Sequence, residues 1–233
     1  MTTAQQENQM GLQAWQEIQK QEKLSKDKRY VDAVNRVGKN LSAVADDQGF
    51  HWEFLVFDSK TPNAFCLPGG KVAVYTALFK FFDNDAQLAT VVGHEIGHAI
   101  ARHSGERLTH EMLRSVGQKA IEASVSEANM DNWMMAYGLA SQVGAILPYS
   151  RAHEYEADKI GMLLMAKAGY DPRQAIVFWE RFAKLSNTST LGESFSTHPM
   201  SAKRVRDMEE LLPKAMQIYE QAPVKRGLGV IYQ

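Results

Sequence analysis

Two histidines four residues apart, His94 and His98, flank Glu95 in a run that reads as helix from Asp85 to about His103. Residues four apart on a helix share one face. The spacing therefore points two imidazoles at one metal ion and sets a carboxylate beside them to take a proton from water. Composition alone would give about 0.014 H-E-x-x-H matches in a chain of this length. The pattern is thus a signal, and it constrains the fold: a third ligand has to be brought to this helix face from elsewhere.

The rest of the chain supplies a mostly α scaffold with a small β-sheet, an α+β arrangement in one domain. Gln5 to Lys20 reads as a polar helix with an apolar stripe of Met10, Leu12, Trp15 and Ile18. Tyr30 to Val44 reads as an amphipathic helix through Val31, Val34, Val37, Leu41 and Val44. The period then changes. Trp52, Phe54 and Val56 alternate as in a strand, and Asn63–Cys66 and Lys71–Thr76 read as two more, joined by a turn at Leu67-Pro68-Gly69-Gly70. Asp85 is the expected N-cap of the motif helix. Helices are expected over Glu106–Ala128, Trp133–Leu147, Ser150–Ala168 (ended by Gly169), from Pro172 to about Leu185, and from Pro199 to about Tyr219, with a polar loop at Asn187–Glu193. The expected organisation is one unit over 1–233: N-terminal helices at 1–48, the sheet at 49–76, a helical body at 77–220 and a tail at 221–233.

A catalytic zinc takes three protein ligands and keeps one position for water. The H-E-x-x-H-x-x-G-x-x-H spacing fails, because Ala101 and Ser104 stand where Gly and His would be; His103 misses by one residue. No Glu near Gly117 is in register for a ligand about twenty residues on. The strongest candidates lie in Ser150-Arg151-Ala152-His153-Glu154-Tyr155-Glu156-Ala157-Asp158. Glu154 and Asp158 are four apart and share a face. One can ligate the metal while the other bonds a ligand imidazole and fixes its tautomer. Glu156 points elsewhere.

H-E-I-G-H together with S-R-A-H-E-Y-E-A-D-K-I-G resembles the gluzincin family of the CaaX prenyl protease, the bacterial membrane protease HtpX and the Oma-type mitochondrial and periplasmic peptidases. Asn63-Ala64-Phe65-Cys66-Leu67-Pro68-Gly69-Gly70 resembles that family's N-A-F-x-x-P-G-G strand and turn, and Thr197-His198-Pro199 with Arg204 its H-P-x-x-x-x-R element. The soluble bacterial periplasmic branch fits best, since the membrane branch carries spans between its two metal motifs. The resemblance implies a zincin-like metallopeptidase domain with one Zn²⁺ held by His94, His98 and Glu154. It implies Glu95 as general base, Asp158 behind a ligand, His198 and Arg204 in the active-site cleft as candidate donors to the oxyanion, and Asn63, Ala64 and Phe65 along an extended peptide. It also implies an exported protein with a lipid anchor or a membrane-associated partner. A second role for His198 stays open: swinging onto zinc and closing the fourth position, which would make the enzyme latent. His51, His103, His110 and His153 match no ligand position and read as surface or structural.

A net charge of −1 gives no field for nucleic acid or an anionic membrane. The single cysteine, Cys66, excludes an intramolecular disulfide framework and a four-cysteine zinc site; it reads as a buried strand residue. Met1 to Asn8 is polar with no apolar signal region after it, and no run reaches the roughly 18 apolar residues of a membrane span, so the chain reads as soluble. The expected function is an endopeptidase of unfolded or misassembled proteins. The competing readings are a zinc-stabilised chaperone-like binding module, which has no need of Glu95, and an exopeptidase, for which no terminus-holding group is identifiable.

Overall fold

A computed structural model of the chain describes residues 3–46, 49–106, 150–186, 198, 201–227 and 232. The helices expected within 107–149, the loop at Asn187–Glu193 and His110 lie outside the described residues. Helix α1 (Ala4–Gln21) starts at a reciprocal cap: the Thr3 hydroxyl accepts from Gln6 N and the Gln6 side chain accepts from Thr3 N. Helix α2 (Lys28–Ser42) is capped by Asp27. Strands β1 (Glu53–Phe57), β2 (Ala64–Leu67) and β3 (Lys71–Tyr75) form one mixed sheet in the order β1-β3-β2. β1 runs parallel to β3 and β2 antiparallel to it. The β2–β3 turn needs Gly69 and Gly70, at φ of 81° and 84°, after Pro68.

Period-2 alternation gives the sheet two buried faces. Phe54, Val56, Ala64, Cys66, Val72 and Val74 face a main core shared with α2 and the motif helix. Phe57, Phe65, Leu67, Ala73 and Tyr75 face α1, where Trp15 sets its indole edge-on to Phe57 and Phe65 at 6.1 and 6.3 Å. After a 3₁₀ turn at Thr76–Phe81 comes α3 (Asp85–Ile100), which carries the motif. Its N-cap is Asn84, which accepts from Gln87 N, and not the expected Asp85. The Asp85 carboxylate is instead gripped by Arg36 through Nε and Nη2 at 2.7 and 2.9 Å.

Helices α4 (Arg151–Lys167), α5 (Arg173–Ser186) and α6 (Ala202–Gln221) complete the described body. α3 and α4 approach until their backbones touch. A Cβ on Gly97 would meet Ala157 O at 2.8 Å, and one on Gly161 would meet His94 N at 2.7 Å. Glycine at these positions lets two helices bring short side chains to one point. Among the described residues, no helix is long and apolar enough to cross a membrane.

Candidate metal centre

α3 delivers His94, Glu95 and His98 into the interior, where all three are 2% exposed or less. The helix is buried along nearly its whole length because it is sheathed by the sheet, α2 and α4. From α4 come Glu154 and Asp158, at 1% and 6% exposure, four residues apart on the face toward α3. His198, 2% exposed, enters ahead of α6, and Arg204 comes from the first turn of that helix, held by the Ser201 cap.

The donor atoms of His94, His98, Glu154 and His198 lie within 4.8 Å of one another. His94 Nε2 is 3.1 Å from His98 Nε2 and 3.1 Å from His198 Nδ1. Glu154 places Oε1 at 3.3 Å from His98 Nε2 and 3.0 Å from His198 Nδ1, and Oε2 at 3.5 Å from His94 Nε2. Metal bonds of about 2.1 Å in a tetrahedron put neighbouring donors about 3.4 Å apart. The observed spacings of 3.0–3.5 Å are those of such a shell, and its nitrogen and carboxylate donors suit zinc.

The electrostatics agree. Burial alone would strip the proton from His94, yet hydrogen bonds and charge from Asp158 and Glu154 override it, and its pKa is raised to about 9. The site stabilises a positive charge at His94, which is what a metal ion brings. Burial holds His98 well below the ordinary imidazole range. Burial also opposes ionisation of Glu154 and Asp158, but His198 and His94 hold the first, and Arg204 and His94 the second, below the usual carboxylate range. Burial lifts Glu95 above that range; among the described residues its Oε1 has no hydrogen bond, and His198 Nε2 stands 3.5 Å away.

Asp158 accepts from His94 Nδ1 at 2.9 Å, so that Nε2 is the nitrogen turned to the cluster and presents its lone pair once its proton is lost. Arg204 donates to both Asp158 oxygens at 2.6 and 2.7 Å, reaches Glu154 Oε2 at 2.7 Å, and stacks over Trp179 at 4.8 Å. It is 1% exposed.

The residues expected along a peptide are not all turned the same way. Phe65 packs its ring against Trp15 on the α1 side of the sheet. Asn63 accepts from Ala64 N with its own side chain. Because Tyr75 N bonds Asn63 O, the main-chain groups of Ala64 and Cys66 point away from β3. β2 thus presents backbone, not the Phe65 side chain. His51 is exposed. His103 is not at the surface: it is 2% exposed and its Nδ1 lies 3.0 Å from His98 Nδ1. Of the two readings given to it from sequence, surface or structural, this contact fits the second. The one available signal was a histidine five residues beyond the motif with only Arg102 as a charged residue between.

The profile of peptidase family M48 matches residues 28–212. The mitochondrial metalloendopeptidase OMA1 of Arabidopsis thaliana is 40% identical over 190 residues, covering 81% of this chain and 38% of that protein. The protein of the same name from Schizosaccharomyces pombe is 38% identical, covering 78% of this chain and 53% of its own length. The beta-barrel assembly-enhancing protease of Escherichia coli is 27% identical over 210 residues, covering 87% of this chain and 43% of that protein. The chain therefore spans about half the length, or less, of these relatives.

Proposed function

The chain belongs to peptidase family M48, and on that footing we propose that it is a zinc-dependent endopeptidase acting on unfolded or misassembled polypeptides. The observation that carries this reading is the convergence of His94, His98 and Glu154 beside a buried, lifted Glu95. His94, His98 and Glu154 are the ligands, and the domain is one unit over 1–233. Zinc, when bound, supplies Lewis acidity that activates water near pH 7 and polarises the scissile carbonyl. Glu95 takes the proton of the attacking water and returns it to the leaving amine. Its raised pKa brings it nearer the working pH, where a base is most effective. Asp158 holds the His94 tautomer, and Arg204 holds Asp158. The full engagement of the Arg204 guanidinium supports that holding role over donation to the oxyanion, which falls to His198. The outward main-chain groups of Ala64 and Cys66 pair with an extended peptide, reading backbone and not sequence, which suits substrates of varied sequence.

The test pairs zinc content with casein turnover for wild type and Glu95→Gln. One zinc in both, with turnover falling about 10²–10⁴-fold in the variant, is expected. A Glu95→Gln protein that cleaves as well as wild type refutes the assignment, and zinc in neither protein refutes the ligand set. Zinc in both with cleavage by neither favours the binding-module reading, in which Glu95 has no task.

A second reading is favoured by the place of His198: its Nδ1 sits among the metal-facing donors, 3.1 Å from His94 Nε2 and 3.0 Å from Glu154 Oε1. In that reading His198 fills the fourth position and the enzyme is latent until it leaves. His198→Ala then raises basal peptidase activity; activity unchanged or lower ends the latch idea. Export with lipid anchoring, or a membrane-associated partner, belongs to the same proposal. It is supported by the resemblance to the soluble bacterial branch and by the relative in Escherichia coli that is named for β-barrel assembly.

A further inference from the structure

His94 has Asp158 behind it, whereas the outer nitrogen of His98 faces another imidazole. His98 Nδ1 meets His103 Nδ1 at 3.0 Å, and His103 Nε2 meets Glu156 Oε2 at 3.2 Å. One proton assignment satisfies both contacts. His103 carries its proton on Nε2 and donates to the Glu156 carboxylate. Its bare Nδ1 accepts from His98 Nδ1–H, and His98 Nε2 is left with a lone pair facing the cluster. We infer that His103, backed by Glu156, is a positioning residue that fixes the tautomer and ring angle of His98. It does so by a carboxylate–imidazole relay, whereas Asp158 serves His94 directly. The inference rests on His98 being a metal ligand.

The backbone is bent to make this contact. α3 ends at Ile100, and Arg102 adopts φ of 57°, a left-handed conformation that costs a non-glycine residue about 1–2 kcal/mol. That turn brings His103 back beneath His98. It is held by the Arg102 side chain, whose Nε and Nη2 reach the buried Glu7 carboxylate of α1 at 3.1 and 2.7 Å. On the far side the His103 ring stacks on His153, with centroids 4.3 Å apart and planes 18° apart. A strained residue kept by an ion pair to a buried carboxylate, directly before an imidazole that bonds a ligand, is what a built support for that ligand looks like.

The experiment measures zinc affinity of the full chain by competition with a chromophoric chelator, and folding by circular dichroism. His103→Leu removes the acceptor and is expected to weaken zinc binding about 10–100-fold. His103→Asn places a carbonyl oxygen close to where Nδ1 was and is expected to stay within about threefold of wild type. Rescue by Asn separates the hydrogen bond from mere packing. If His103→Leu and His103→Asn lose affinity equally, or if neither loses any, the inference is overturned. Glu156→Ala changes a side chain that is 60% exposed and so leaves the fold intact. It should weaken binding about threefold or more in wild type and add nothing to His103→Leu, and no effect in wild type would overturn the relay even where His103→Leu does not fold. His98→Ala is the reference. If it binds zinc like wild type, the metal centre itself is misassigned; if it loses binding while His103→Leu does not, only the relay fails.

Discussion

Replacing Gly161 by alanine tests whether the contact between α3 and α4 sets the metal centre. An ideal Cβ there would stand 2.7 Å from His94 N, 2.8 Å from Gly93 C and 2.9 Å from Gly93 O, where ordinary contact begins at 3.4 Å. The shortfall is about 0.7 Å, and every atom it meets is backbone, so no side chain can rotate away. Two effects oppose each other. A glycine-to-alanine change inside a helix normally gains about 1 kcal/mol. Overpacking a closed interface costs about 1–3 kcal/mol. Because every atom met is backbone, the steric cost falls at the upper end of that range, for a net loss of up to about 2 kcal/mol in the metal-free protein. The larger consequence is at the site: Glu154 and Asp158 ride on α4, and metal–donor distances tolerate only about 0.2 Å. A shift of several tenths of an ångström should weaken zinc at least tenfold. Gly97→Ala, aimed at Ala157 O at 2.8 Å, should behave alike. Chelator competition reads the affinity, and thermal melting with and without zinc reads the stability. A Gly161→Ala protein as stable as wild type that binds zinc within threefold of it would refute the reasoning.

Two further outcomes are expected. In protein stripped of metal, the His94 pKa of about 9 keeps that imidazole protonated at neutral pH, so zinc uptake must expel a proton. Calorimetry at pH 7.5 in buffers of different ionisation enthalpy should read close to one proton released per zinc, with affinity rising as pH climbs toward 9; no proton release would contradict the assigned environment. Trp15→Ala empties the second core, where the indole is 1% exposed between Phe57 and Phe65, and should cost about 3–5 kcal/mol by urea unfolding; a loss under 1 kcal/mol would mean α1 is not part of the folding unit.

Periodicity gave most of the scaffold. The stripe through Val34, Val37 and Leu41 marked α2, and alternation marked the three strands, because one-sided or two-sided burial imprints its period on the residue types. The motif spacing and the Glu154–Asp158 pair were legible for the same reason: four residues is one helical turn. What sequence could not carry is geometry created between segments. Asn84 rather than Asp85 caps α3 because Arg36, far back in α2, claims the Asp85 carboxylate. His103 reads from sequence as surface or structural with nothing to decide between them, because its contact depends on a left-handed Arg102, a residue type that gives no local hint of φ above zero. Arg204 read as a group facing substrate, and only the fold reveals that Asp158 and Glu154 occupy its guanidinium.

The ion pair between Glu7 and Arg102 bears on where this protein ends as a physical object. The family match begins at residue 28, so α1 lies outside it. Yet α1 supplies the carboxylate that holds the turn under His98, and its Trp15 covers Phe57, Phe65 and Leu67 on the outer face of the sheet. A fragment trimmed to the matched region would bare that apolar face and release the Arg102 turn together. The stretch matched by the family profile is therefore smaller than the packed unit around it, and any dissection of the domain has to follow the second.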